Sequence, residues 1–203
     1  MARGGTVTSA ARRGLASVRS RTVLAAFEGQ AVQVADEPSF NQRYGGFTMT
    51  NASTKEQDAI ALLKDQHDEV KAMFKEYDGL GERAKAGKKK LADKICEQLT
   101  MHAMIEEEIF YPAVRAASKE MKDMLDEALV EHGSAKDLIA QIQEMEPGDD
   151  LYDAKVTVLG EYIDHHVEEE EEEMFTKVRK LDLDLKALGA EMADRRDELL
   201  ATA

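Results

Sequence analysis

The stretch HAMIEEEIFYP occupies positions 102–112, and HVEEEEEEMF occupies positions 166–175. Each opens with a histidine and carries a glutamate four residues on, His102 with Glu106 and His166 with Glu170. Residues four apart share one face of a helix, so each pair presents an imidazole and a carboxylate together. Working outward, His67 precedes His102 by 35 residues, and His132 precedes His166 by 34. Four of the five histidines in the chain fall into this doubled pattern, which reads as a duplicated metal-binding unit.

The flanking residues place all six side chains on helix seams. Ile60, Leu63, His67, Val70, Phe74 and Tyr77 follow the alternating three–four step of a helix packed in a bundle. Ile95, Leu99, His102, Glu106, Ile109 and Ala113 follow it in a second helix, and Met121, Leu125, Ala128, His132, Ala135, Ile139 and Ile142 in a third. Tyr152, Val156, Leu159, Ile163, His166, Glu170 and Met174 follow it in a fourth. Buried, unpaired carboxylates are costly, so two seam glutamates facing one another call for cations.

Composition fits this reading. The chain has 203 residues, three prolines, no tryptophan and abundant helix formers, and it contains no apolar run long enough to cross a bilayer. A net charge of −14 argues against nucleic acid or an anionic membrane as the main partner. The single cysteine, Cys96, excludes an internal disulfide and a thiolate cluster, and its place beside Ile95 suits a partly buried apolar residue.

Residues 1–50 are expected to be a disordered or targeting extension. The acid-free, arginine- and serine-containing stretch Met1 to Phe27 resembles an organellar transit peptide, which would place the protein in mitochondria. The competing reading, that Met49 begins an ordinary protein start, implies the cytoplasm. Residues 54–180 are expected to form an antiparallel up-down-up-down four-helix bundle, all α, with short connections. Ser53 or Thr54 is expected to cap the first helix, which ends near Asp78 at Gly79. The second helix runs from about Lys89 to Ala117 after a solvated basic loop bearing Lys88, Lys89 and Lys90, with Pro112 a point of kinking. The third spans about Glu120 to Met145 and the fourth about Leu151 to Lys180. Residues 181–203 form a C-terminal extension with a short helix outside the bundle.

In such a bundle the six residues meet at one level. The economical assembly sets His67 and His102 on one metal and His132 and His166 on a second, with Glu106 and Glu170 bridging. Imidazole and carboxylate suit iron, manganese or zinc alike. So few protein ligands leave open positions, unlike a closed structural zinc site. The spacing excludes the Glu-x-x-His pattern of ferritin-like bundles and the H-E-x-x-H of zinc proteases.

These blocks, His67, His102-x-x-x-Glu106-Glu107-x-Ile109-Phe110-Tyr111-Pro112, His132, and His166-x-x-x-Glu170-Glu171-x-x-Met174-Phe175, make the chain resemble the hemerythrin-like HHE cation-binding proteins over residues 56–180. The resemblance implies a centre of two non-haem iron ions. It also implies a small-molecule ligand, dioxygen, peroxide or nitric oxide, that is bound or sensed. Alternatives within the family are peroxide or nitric-oxide detoxification, iron handling and iron–sulfur repair. Two departures stand out. Oxygen-carrying members have a second histidine on the third helix where this chain has Lys136, and they end the fourth-helix motif in H-x-x-x-x-D. The sequence carries no visible cysteine-containing repair module.

Among neighbouring residues, His165 lies off the seam that His166 continues, and is expected behind the metal ligands or at the surface. Of the run Glu168–Glu173, Glu170 turns inward and the rest form a solvated face, paired with Lys177, Arg179 or Lys180. Tyr111, Tyr162 and Phe175 are expected as wall residues, with a tyrosine able to donate a hydrogen bond near the metals.

Overall fold

The computed structural model describes residues 57–202, which are all helical apart from turns and connections, with no strand among them. Helix α1 (Ala59–Asp78) is followed by α2 (Lys85–Ile105), a π turn (Glu106–Phe110) and α3 (Tyr111–Ala117). A single 3₁₀ turn (Lys119–Met121) leads into α4 (Lys122–Gln143). Helix α5 (Tyr152–Glu169), a second π turn (Glu170–Met174) and α6 (Phe175–Val178) form the next rod, and α7 (Leu185–Thr202) ends the described chain. Neighbouring rods pack in the order α1–α2–α4–α5 and back to α1, which gives the expected up-down-up-down bundle. The expectation for residues 1–50 falls outside the described residues.

Helix ends follow local chemistry, with corrections to the sequence reading. The first helix is capped by Asp58, whose carboxylate accepts from the Ala61 amide at 2.9 Å, rather than by Ser53 or Thr54. Lys88–Lys90 are not in a solvated loop but in the first turns of α2. Lys88 is buried because its ammonium reaches Asp153 at 2.7 Å, and the Tyr77 hydroxyl donates to the same carboxylate at 2.7 Å. This tie joins α1, α2 and α5 at one end of the bundle. The Glu146–Asp150 turn ends at Leu151, whose φ of 72° is the left-handed conformation that costs a branched side chain about 1 kcal/mol or more.

The break in the second rod comes before Pro112, as a π turn that begins at Glu106 and closes with the Tyr111 amide on the Glu106 carbonyl. The fourth rod repeats it without any proline: the Phe175 amide closes on the Glu170 carbonyl. Each π turn inserts one extra residue, so the inward face moves on by one position beyond it. Hence Phe110, Tyr111 and Val114 are buried where the sequence seam named Ile109 and Ala113, which are only partly covered. Beyond Glu170 the inward residues are Met174, Phe175 and Val178.

Apolar packing falls into two clusters. One, around Val70, Leu91, Ile95, Ile139, Leu159 and Ile163, includes buried Cys96, whose thiol is pushed up to about 12 by burial. The other gathers Leu63, Phe110, Tyr111, Met174, Phe175 and Val178. Helix α7 lies across the second cluster, burying Met192 and Ala193 completely; with 18 residues it is as long as α5. Its approach depends on Gly189, where a β-carbon would stand 2.4 Å from the Gln57 carbonyl oxygen and 2.7 Å from the Ala59 nitrogen. Both are backbone atoms at the start of α1 and cannot swing aside. Gly189→Ala is therefore expected to destabilise the fold by about 1–3 kcal/mol. Chemical denaturation would read this as a lower midpoint, and an unchanged midpoint would show that α7 is not seated on α1.

Candidate metal centre

Between the two apolar clusters lies a polar layer formed by six buried side chains. His67 comes from α1, His102 from α2, His132 from α4 and His166 from α5, while Glu106 and Glu170 open the two π turns. Both glutamates are fully inaccessible to solvent at 0% exposure, which decides that they need partners in the interior.

The histidines approach in pairs, with 3.2 Å between Nε2 of His67 and His102 and 3.2 Å between Nε2 of His132 and His166. Glu106 Oε2 lies 3.2 Å from His102 Nε2 and 3.3 Å from His132 Nε2, and so stands between the pairs. Glu170 Oε2 lies 3.4 Å from His67 Nε2 and 3.6 Å from His166 Nε2 and does the same from the other side. Ligand-type atoms of His67, His102, Glu106 and Glu170 form one compact group, and those of Glu106, His132 and His166 a second.

The outward nitrogen of every ring is occupied. His102 Nδ1 bonds Gln66 Oε1 at 2.7 Å, His166 Nδ1 bonds Glu131 at 2.7 Å, His67 Nδ1 bonds Glu171 at 3.0 Å and His132 Nδ1 bonds Glu107 at 2.9 Å. Each of these oxygens is an acceptor, so each Nδ1 carries a proton, and a ring with no second proton turns a lone pair inward at Nε2. Two lone pairs 3.2 Å apart repel unless a proton or a metal ion lies between them, and this spacing suits two nitrogens bound at about 2.1 Å to one ion. Glu106 Oε1 and Glu170 Oε2 have no hydrogen-bond partner although buried. The donor set thus fits divalent metal.

A rule of duplication governs these contacts. In each half, the residue before the first histidine (Gln66, Glu131) holds the second histidine (His102, His166). The residue after the buried glutamate (Glu107, Glu171) holds the first histidine of the other half. The ring stacking obeys it too: Tyr111 lies against His132 at 5.6 Å between centroids and Phe175 against His67 at 5.9 Å.

Gln66, Glu107, Glu131 and Glu171 were not singled out by the sequence as partners of the centre. The doubled Glu106-Glu107 and Glu170-Glu171 were the available signal, and assigning Glu171 to a solvated face was wrong: it is half-buried between His67 and Lys64. Tyr111 is more than wall. Its hydroxyl donates to Glu170 at 2.8 Å and lies 3.4 Å from His132 Nε2. Burial, reinforced by Glu106 and Glu170, pushes the phenol pKa upward and keeps its proton in place. Tyr162 is no wall residue, being half exposed one step around from buried Ile163. His165 is exposed and lies 3.4 Å from Glu169.

The sequence model of the Hemerythrin HHE cation binding domain matches residues 58–178, which is most of the described chain. The chain belongs to this family. In fold it is similar to a hemerythrin HHE cation binding domain-containing protein from Mycobacterium kansasii, with a TM-score of 0.61 and 23% identity over 72% of this chain and 89% of that one. In sequence it is similar to a DNA nickase from Nostoc sp., 27% identical over 137 residues; the match takes in 66% of this chain and 37% of the nickase. Against the pattern of oxygen-carrying members, Lys136 stands where they have a second histidine. Its ammonium holds both oxygens of Glu107, at 2.6 and 2.7 Å, and through Glu107 it fixes His132.

Without metal, the centre has its own pH dependence. Burial lowers the His166 pKa, but Glu170 and hydrogen-bonded Glu131 outweigh it and raise it to about 9. Such a histidine stabilises the fold fully below its ordinary 6.5, and that stabilisation is lost as pH rises through about 9. Burial pushes Glu106 up, yet His102 and His132 prevail and hold it well below the usual carboxylate range, so its contribution is lost only as pH falls through that depressed value. The metal-stripped protein is expected to show a Tm that falls steadily between pH 6.5 and 9. A Tm that stayed level or rose across this window would refute a charged His166.

Proposed function

We propose that the chain is a non-haem di-iron protein that binds or senses a small ligand, dioxygen, peroxide or nitric oxide. His67 and His102 would hold one ion and His132 and His166 the other, with Glu106 and Glu170 shared between them. The observation that carries this reading is the inward-facing set of four Nε2 atoms and two orphaned carboxylate oxygens inside an otherwise apolar bundle. When bound, iron supplies open coordination positions and redox electrons.

The protein's own residues define what can approach. On the histidine side of the layer is a cavity of about 30 Å³, walled by Val70, Leu99, Ala135, Ile139 and Ile163 among others. That is room for a water-sized or diatomic guest and little more. Its apolar walls keep bulk water away from the four rings, and Lys136 at its edge is tied to Glu107. On the opposite side Phe110, Tyr111 and Phe175 close the layer. Tyr111 also favours a second reading, turnover of peroxide or nitric oxide, because its buried hydroxyl, 2.8 Å from Glu170, sets a hydrogen-bond donor at the edge of the layer. DNA cleavage is not proposed: the net charge of −14 opposes a phosphate backbone.

Iron content per chain after anaerobic purification tests the reading. Two irons are expected in the wild type and nearly none in Glu106→Ala/Glu170→Ala. Little iron in the wild type, or iron indifferent to those glutamates, sinks it. Reversible spectral change with dioxygen or nitric oxide, against sustained peroxide consumption, then separates the binding and turnover readings.

Filling the cavity should separate ligand access from metal retention. Ala135→Leu is expected to keep the iron content while weakening small-ligand binding at least about tenfold, since one added side chain exceeds the free space. Undiminished ligand binding would move the binding position elsewhere.

A further inference from the structure

The four partners of the histidine Nδ1 atoms are not equivalent in charge. Gln66 is neutral, Glu107 is held by Lys136, and Glu171 is held by Lys64. Glu131 instead faces His165 and Glu169, and ligand-type atoms of all three lie within 4.8 Å of one another. One flank of the centre is therefore acidic where the others are neutral or lysine-paired.

A cavity of about 110 Å³ opens on that flank, between α4 and the α5 rod. Glu127 and Glu131 line it from α4, and Glu169 and Glu173 from the opposite side. Each pair sits four residues apart along its rod, a spacing at which like charges repel. The cavity does not end blindly. It reaches His166 and Glu170, and Glu170 is a fully buried carboxylate whose Oε2 lacks a hydrogen-bond partner. Acidic side chains thus run from solvent to an orphaned interior oxygen.

We propose that this cleft is the route by which divalent metal reaches the buried centre, with Glu131, His165 and Glu169 forming a docking site at its mouth. This proposal rests on the metal-centre reading above. The mouth combines one imidazole with two carboxylates, which favours ferrous, manganous, cobaltous or zinc ions over alkali cations. Its components suit transit rather than storage. His165 and Glu169 are exposed, so water remains on the ion and holds it weakly. Glu131 belongs to both places, since the same carboxylate that faces His165 also holds His166 Nδ1 at 2.7 Å. An ion at the mouth is one residue from the inner set. Negative clefts of this kind raise local cation concentration and on-rates.

Cobaltous ion is a suitable probe, because its visible absorption reports capture by nitrogen and oxygen ligands. Metal-free full-length protein would be mixed anaerobically with it in a stopped-flow instrument and titrated separately to its end point. The variant His165→Ala/Glu169→Gln removes exposed residues outside the inner set and should fold normally. Glu76→Gln serves as the charge control: it removes one acid near Tyr77, which bonds Asp153 at the start of α5, whereas Glu169 ends that helix.

The mouth variant should load about tenfold more slowly than wild type, reach the same final stoichiometry and keep the same Tm, while Glu76→Gln loads at the wild-type rate. Wild-type loading by the mouth variant overturns the proposal, as does equal slowing in the control. Loss of final stoichiometry in the mouth variant also overturns it, because the two residues would then be holding metal at the centre. The underlying reading fails separately, and visibly, if wild-type protein retains no cobalt or if Glu106→Ala/Glu170→Ala retains as much.

Discussion

Two carboxylates and four imidazoles are held in the middle of a helical bundle, and the Nδ1 proton of every imidazole is committed outward. What faces inward is four Nε2 atoms and two buried carboxylates, Glu106 and Glu170. An interior of this kind is tolerable only with positive charge at its centre. Much of the fold can be understood as what it takes to hold such a layer in place. Four rods bring the rings to one level, two apolar clusters seal it above and below, and an outer set of Gln66, Glu107, Glu131 and Glu171 fixes the ring orientations.

The π turns are part of the same solution. Each begins on a buried glutamate, and each shifts the following inward face by one residue. This brings Tyr111 and Phe175 against the histidines of α4 and α1 instead of leaving those aromatic rings on the flank. Proline cannot be the common cause, because the fourth rod has the turn without one. The shared element is the glutamate at its start, and π turns are frequent where a helix carries a functional group.

Duplication makes the two halves alike in geometry, while substitution makes them unlike in chemistry. Gln66 corresponds to Glu131, so one pair of rings is supported by a neutral amide where the other has a carboxylate. Phe175 corresponds to Tyr111, so a hydroxyl approaches the layer from one half only. A carboxylate partner makes an imidazole a stronger donor to a cation than an amide partner does. Two ions held in this framework would experience different fields. The acidic flank at Glu131 follows from the same inequality.

The sequence alone determined the bundle, its four rods and the six side chains that meet at its centre. A three–four step and a doubled H-x-x-x-E are short-range patterns that survive translation into one dimension. It also placed His165 off the seam, and its family resemblance marked Lys136 as standing where oxygen-carrying members have a histidine. Only the tertiary structure decided which residues support the rings. Glu171 on the fourth rod holds His67 on the first, and nothing local in a run of six glutamates tells one from the next. The seam beyond Glu106 slipped by one position because a π turn breaks the 3.6-residue period from which it was read. Lys88 became an interior residue for the same kind of reason, since its partner Asp153 lies 65 residues away in the chain. Periodicity records which face of a helix is buried, but the partner across an interface is chosen by packing between rods, which sequence neighbours do not encode.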